Sequence, residues 1–280
     1  MHFGNDMTFI YLFPVSGLIT AICAWLLWSG VWNKPRLGAR PLALILSISM
    51  FITIYALIRL EPIAGWGLDF RLAAAVAICT LIVQYIYVLG LFRYGVHGLG
   101  LFLLPATAVP LFIIPFLPDD PILRIQVTSM MEASHLIFSL LAYAVLTLAM
   151  LHAIMHLLLD RSLKRKQIGP IVQALPSLFD LENHMYAQVR SATWLLGLGI
   201  LTGIAWQWGY FDHHLNLISH KVILSIFSWI VLLVLLTMRK RAGWQGRRAS
   251  WMVIAAYLLL LLAYFGVRIV QAWLHAPLGS

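Results

Sequence analysis

Apolar residues in this chain run in long blocks separated by short polar gaps, with none of the strict alternation of half-buried strands. The blocks fall at Phe9 to Trp28, Pro41 to Leu60, Leu72 to Phe92, Leu99 to Leu117, Ala133 to Leu159, Ala192 to Trp208, His220 to Thr237 and Trp251 to Leu274. About 20 helical residues cross about 30 Å of hydrocarbon, so each of the eight blocks predicts one crossing. In lipid the backbone must find its partners within the segment, which makes these blocks helices. The predicted fold class is all-α, a polytopic membrane protein. It is a bundle of eight transmembrane helices in a single membrane domain over residues 1–280.

The gaps orient the bundle. Lys34, Arg36 and Arg40 lie in the first gap and Arg93 in the third. The fifth carries Arg161, Lys164, Arg165, Lys166 and Arg190, and the seventh Arg239, Lys240, Arg241, Arg247 and Arg248. Glu61, Asp69, Asp119, Asp120, Glu132 and Asp212 dominate the even gaps, against Arg71, Arg124 and Lys221. The positive-inside rule then makes both termini periplasmic. Composition agrees, with 62% hydrophobic residues, 10% charged residues and a mean hydropathy of +0.90. The net charge of +9 follows from the same asymmetry and suits anionic cytoplasmic lipid, so the expected partner is membrane lipid and no nucleic acid. Met1 to Thr8 carries Asp6 and no basic run, which predicts a retained anchor in the first helix. Cys23 and Cys79 fall at different depths, too far apart for a disulfide.

Within the long inner gap, Ser177 stands three residues before Asp180, close to capping-box spacing, and Leu178, Leu181 and Met185 follow. This predicts a short amphipathic helix on the inner surface, as a connector under the bundle or a docking surface for a cytoplasmic partner.

Ten histidines stand out against so few charges. His135 opens helix five, His213, His214 and His220 lie between helices six and seven, and His275 ends helix eight, all on the outer side. Imidazole ligates haem iron, zinc and copper, and two histidines on different helices at equal depth can grip an iron from both faces of a porphyrin. A lone interfacial histidine is equally well a headgroup-level polar residue. Trp206, Trp208, Tyr210, Phe211 and Trp229 surround the cluster, as an aromatic belt or as walls for a flat ring. Arg268 lies seven residues before His275 and roughly 10 Å deeper on the same helical face, where a charge needs an anion. Glu132 or Asp212 would serve as a structural ion pair, and a haem propionate as the functional alternative. His152 and His156 sit one turn apart at the inner end of helix five, about 25 Å from His135 by helical rise. Snorkelling beside Arg161 is the main expectation for them, with a second site at the inner face as the other.

The run Leu175 to Arg190, followed by Leu198 to Trp206, resembles the inner-surface segment and next helix of cytochrome c assembly proteins of the CcsA, CcmC and HemX-like superfamily. The phrases His135 to Ala144, His220 to Trp229 and Tyr264 to Val267 are similar to its later helices, and the resemblance covers roughly residues 130 to 275. The phrases around His220 and Gly243 to Arg248 are most similar to the short YpjD-type HemX-like proteins of bacteria. The resemblance implies an assembly-protein-like core over about 60–275, a place in the bacterial inner membrane and haem as cofactor. It implies His135 and His275 as the family's outer histidines, with His220 as another candidate ligand beside Trp206, Trp208, Trp229 and Arg268. Members that attach haem carry a fuller tryptophan-rich motif ending in Trp-Asp, of which Trp206, Trp208, Gly209, Tyr210 and Asp212 are a thinned version. The expected role is therefore binding or presenting haem at the periplasmic face in cytochrome c maturation or haem delivery, with other maturation or inner-membrane proteins as partners, and not enzymatic catalysis. The alternative is a HemX-like regulatory or scaffolding protein that does not bind haem.

Overall fold

The computed structural model describes residues 9–32, 38–60, 68–94, 97–117, 125–127, 129–166, 169–210 and 220–263, of which 68–70, 93–94, 97, 125–126, 207–210 and 220–221 are described by backbone alone. The helices are α1 (Leu12–Trp32), α2 (Ala39–Leu60), α3 (Leu72–Tyr94), α4 (His97–Ile113), α5 (Met130–Lys164), α6 (Pro170–Ala174), α7 (Leu178–Tyr210), α8 (His220–Ala242) and α9 (Arg247–Leu261). Among the described residues, seven helices are long and apolar enough to cross a membrane. The eighth predicted span is described through Ala263, and the rest of it lies outside the described residues.

Two departures from the predicted pattern have physical causes. A two-stranded ribbon pairs β1 (Leu68–Phe70) with β2 (Ile125–Val127), so among the described residues the regular structure is helical except for this pair. Both strands lie in gaps between apolar blocks, where water can satisfy the open edges that lipid would forbid. The second departure is at Ser177. Its Oγ accepts the Asp180 N–H at 3.2 Å and lies 2.6 Å from the Asp180 carboxylate, as capping spacing predicts. The helix it starts is not a short surface piece, however, but α7, which continues for 33 residues into the sixth span. Leu181, Met185, Val189, Ala192 and Leu196 form one buried stripe at helical spacing, with no glycine or proline among them to stop the helix. The separate connector helix is α6, opened by Pro170.

Contacts divide the chain into two compact units. The first holds Met1–Asp119, Arg124–Gln126 and Leu158–Leu181. In it α1 packs on α2 and α4, and α3 packs on α2 and α4, around Phe13, Ala56, Leu60, Ala77, Leu111 and Ile114. A buried hydroxyl network crosses it: Ser49 Oγ donates to the Ser16 carbonyl (2.9 Å), Thr53 to Ser16 Oγ (2.8 Å), and Thr20 and Ser49 share a bond of 2.9 Å. Gln84 Nε2 on α3 donates to Thr20 Oγ1 at 3.2 Å.

The second unit holds Asp120–Leu123, Val127–Leu157 and Glu182–Ser280. Ala142, Ala149, Ala153, Ala192, Ala249 and Ala256 alternate with Leu146, Met185, Leu232 and Val253 in its core. Small residues let helix backbones approach closely, which replaces the hydrophobic drive that lipid does not supply.

Candidate functional site at the His135 end of the second unit

The register of three helices defines the site. His135 on α5 meets Gly199 and Gly203 on α7, and His152 meets His184, so α5 and α7 are antiparallel. Trp229 on α8 donates its indole N–H to the Thr193 carbonyl at 3.0 Å and rests on Gly197, while Arg239 reaches Asn183 and Tyr186; α8 is therefore antiparallel to α7 as well. His220 precedes Trp229 by nine residues, about 14 Å of helical rise. That rise brings the start of α8 to the level of Gly203 to Trp206, within about a turn of the Gly199 to Gly203 level of His135.

His135 is held by two features of α7. Its Nδ1 lies 2.7 Å from the Gly199 carbonyl oxygen. A carbonyl only accepts, so in the neutral ring Nδ1 carries the proton and the Nε2 lone pair remains for another partner. A Cβ at position 203 would stand 2.8 Å from Nδ1 and 2.9 Å from Cε1 of the ring, so the imidazole lies against α7 because residue 203 is glycine. Thr202 Oγ1 shares the Gly199 carbonyl at 3.1 Å. Glu132, buried in the first turn of α5, precedes His135 by one turn, and its N–H donates to Ser129 Oγ at 3.2 Å. Trp206 follows Gly203 by three residues and so continues its stripe along α7.

Trp229 is fastened to Thr193, and its contact at Gly197 is about 9 Å along α7 from Gly203 by helical rise. His220 and Trp208 have helical backbones whose side chains are not described. His275 and Arg268 lie outside the described residues, as do Asp212, His213 and His214.

At the opposite end of the unit, His152 and His156 correct the snorkelling expectation, being only 5% and 1% exposed. They face α7 and α9 instead of lipid. His152 Nδ1 bonds the Leu148 carbonyl at 2.8 Å, and its ring centroid lies 5.8 Å from that of His184. His156 Nδ1 is 3.1 Å from Ser250 Oγ. Beside them the α8–α9 turn is clamped to α7: Tyr186 OH donates to the Trp244 carbonyl, the Gly246 N–H to Glu182 Oε1 (3.2 Å), and the Arg239 guanidinium lies 3.7 Å from the Tyr186 ring centroid. Gly243 and Gly246 both have positive φ, at 60° and 67°, which a side chain would strain. The sequence reading missed His184 and Tyr186. Extending α7 back to Ser177 is the step that would have set them opposite α5 and the turn.

The family model described as cytochrome C assembly protein matches residues 42–275. The chain belongs to the cytochrome c assembly protein family. Similar proteins include the inner membrane protein YpjD of Escherichia coli strain K12, 35% identical over 158 residues (56% of this chain and 57% of that protein). Protein HemX of Brevibacillus brevis is 29% identical over 153 residues, 54% of this chain and 56% of that one. Cytochrome c biogenesis protein CcsA of Synechococcus sp. strain RCC307 is 28% identical over 99 residues, 34% and 30% of the two chains. The chain thus spans little more than half the length of the first of these relatives. No solved structure matches it. With its apolar spans and this kinship, the chain is a multi-pass protein of the bacterial inner membrane.

Proposed function

We propose that this protein handles haem at the periplasmic face of the inner membrane, binding or presenting it in cytochrome c maturation or haem delivery. The observation that carries the reading is His135, whose Nδ1 is bonded to the Gly199 carbonyl while its ring rests against Gly203. Ligating histidines are usually oriented in this way, with the far ring N–H on a carbonyl and the other nitrogen toward the metal. Haem carries most of its iron's donors with it, so the chain would have to supply histidines and a cleft and not a full metal cage. His135 Nε2 would be one of the groups that hold the iron. His220 is supported as the other by its level on α8, and His275, the family's second outer histidine by resemblance, is the alternative. Trp206, Trp208 and Trp229 would line the ring, and Arg268 would neutralise a propionate. When bound, the haem supplies a redox-active iron; the chain's own part is to hold and orient it. The HemX-like regulatory or scaffolding role is the reading that remains if no haem binds.

The absorption spectrum of the full chain in mild detergent, oxidised and reduced, tests this. A Soret band with sharp reduced peaks is expected, abolished or strongly shifted by His135→Ala and unchanged by His97→Ala. A parent without a Soret band after haem addition, or equal spectra for the two variants, overturns the reading. We further propose eight spans with both termini periplasmic. Reporter fusions after Arg165 and Arg241 should then report cytoplasm, and those after Asp120 and at the C-terminus periplasm; one reversed point breaks the map.

A further inference from the structure

We propose that the turn joining α8 to α9 is a binding surface for anionic phospholipid, taking the headgroup phosphate between its arginines. Arg239, Lys240 and Arg241 close α8, and Arg247 and Arg248 open α9, with only Ala242 to Gly246 between them. Lys240, Arg241, Arg247 and Arg248 are exposed, while Arg239 is stacked on Tyr186. The backbone that carries them is fixed at three points, by the Tyr186 hydroxyl on the Trp244 carbonyl, by Glu182 on the Gly246 N–H and by the Trp244 N–H on the Met238 carbonyl. Five cations thus stand on a turn of fixed backbone, against the one carboxylate among the described residues that reaches it, Glu182.

Two details point to an anion and to its source. Cations at the end of α8 suit the helix dipole, but Arg247 and Arg248 stand in the first turn of α9, where the dipole is positive and acidic residues are favoured. Glu182 supplies one carboxylate there, on the Gly246 N–H, and an anion from outside the chain would meet the positive charge that remains. The cations also lead directly onto exposed apolar side chains. Trp251, 54% exposed, follows Arg247 by one turn on the same face, and Val234, 40% exposed, precedes Arg241 by two turns. A phosphate on the arginines would therefore have its acyl chains along Trp251 and Val234, the geometry of a phospholipid and not of free phosphate. The proposal rests on the orientation given above only for which leaflet supplies the lipid, and the test does not depend on orientation or on haem.

The full chain is purified in detergent, mixed with equal phosphatidylglycerol and phosphatidylcholine, and its retained lipid measured by native mass spectrometry. Phosphatidylglycerol should be retained at least fivefold over phosphatidylcholine. Near a membrane surface each basic residue contributes about a fivefold change in lipid binding, so Arg241→Gln/Arg247→Gln/Arg248→Gln together should erase the preference. The exposed positions leave helicity unchanged by circular dichroism; should the triple variant lose it, Arg248→Gln alone should lower the preference about fivefold. Equal retention of the two lipids by the parent, a preference that survives the substitutions, or displacement of the lipid by millimolar inorganic phosphate would each overturn the proposal.

Discussion

The two units treat buried polar side chains differently. In the first, the side chains of Ser16, Thr20, Ser49, Thr53 and Gln84 bond one another in a closed network that joins α1, α2 and α3, although Ser49 and Trp28 also reach across to the Ser16 and Leu101 carbonyls. In the second there is no such hydroxyl network among the described residues, and side chains bond backbone carbonyls singly: His135 to Gly199, Trp229 to Thr193 and Tyr143 to Leu260 on neighbouring helices, and Tyr186 to Trp244 in the α8–α9 turn. A hydroxyl has one proton to donate, and in a closed network it is used up. An imidazole tied down by one nitrogen keeps the other. Buried polarity therefore fastens helices in the first unit, and in the second it also aims a lone pair.

The largest effect should come from breaking the seat of that lone pair. Gly203→Val drives a branched side chain into the His135 ring and should lower thermal stability in detergent by about 3 kcal/mol, the upper end for overpacking, together with loss of the haem band. Gly90→Ala is the contrast, because a Cβ there meets nothing within 4 Å; it should be neutral or stabilising by up to about 1 kcal/mol. Comparable losses for the two would mean that the notch is not specific.

A medium effect sharpens the account of the first unit. Thr20→Val removes the hydroxyl that Ser49 and Gln84 both use and should cost about 1–3 kcal/mol, leaving the haem spectrum unaltered. Gln84→Leu should cost far less, since the buried Gln84 Oε1 has no hydrogen-bond partner among the described residues. Equal losses would show that this oxygen is engaged after all.

The smallest effect is expected at the turn. Tyr186→Phe deletes one hydroxyl bond to the Trp244 carbonyl and keeps the ring under Arg239, for a loss of about 1 kcal/mol in a melting experiment. The His135 spectrum should not move. A shift would show that the two ends of the second unit are energetically coupled.

Seven of the eight predicted spans were legible in the sequence because lipid imposes a single requirement, an unbroken apolar helix, and that requirement is local. The Ser177 cap was legible for the same reason. What Ser177 starts was not, since the apolar stripe from Leu181 to Leu196 declares itself only when the surface segment and the span are taken as one helix. His135 could be singled out by residue type and position, but its fixing by Gly199 and Gly203 depends on which helix lies beside it. The Gly199 and Gly203 spacing is a small-residue signal for close helix approach, and it was there to be used. His152 and His156 were misjudged because depth along a helix says nothing about which face meets lipid. The pairing of His152 with His184 depends wholly on register.

Helix α7 runs 33 residues without a break, about 50 Å of continuous rod. Glu182 and Tyr186 grip the α8–α9 turn near one end, and Gly199 and Gly203 receive His135 near the other. Such a rod is a gauge: it fixes both the spacing and the angular phase of the two ends. One residue added between Val189 and Leu196 would rotate Gly203 by about 100° from under the imidazole, although no contacting side chain had been changed. Seven added residues would bring the phase back to within about 20° but displace the seat by about 10 Å. The length of this segment is therefore as much a part of the histidine's environment as the glycine beneath it.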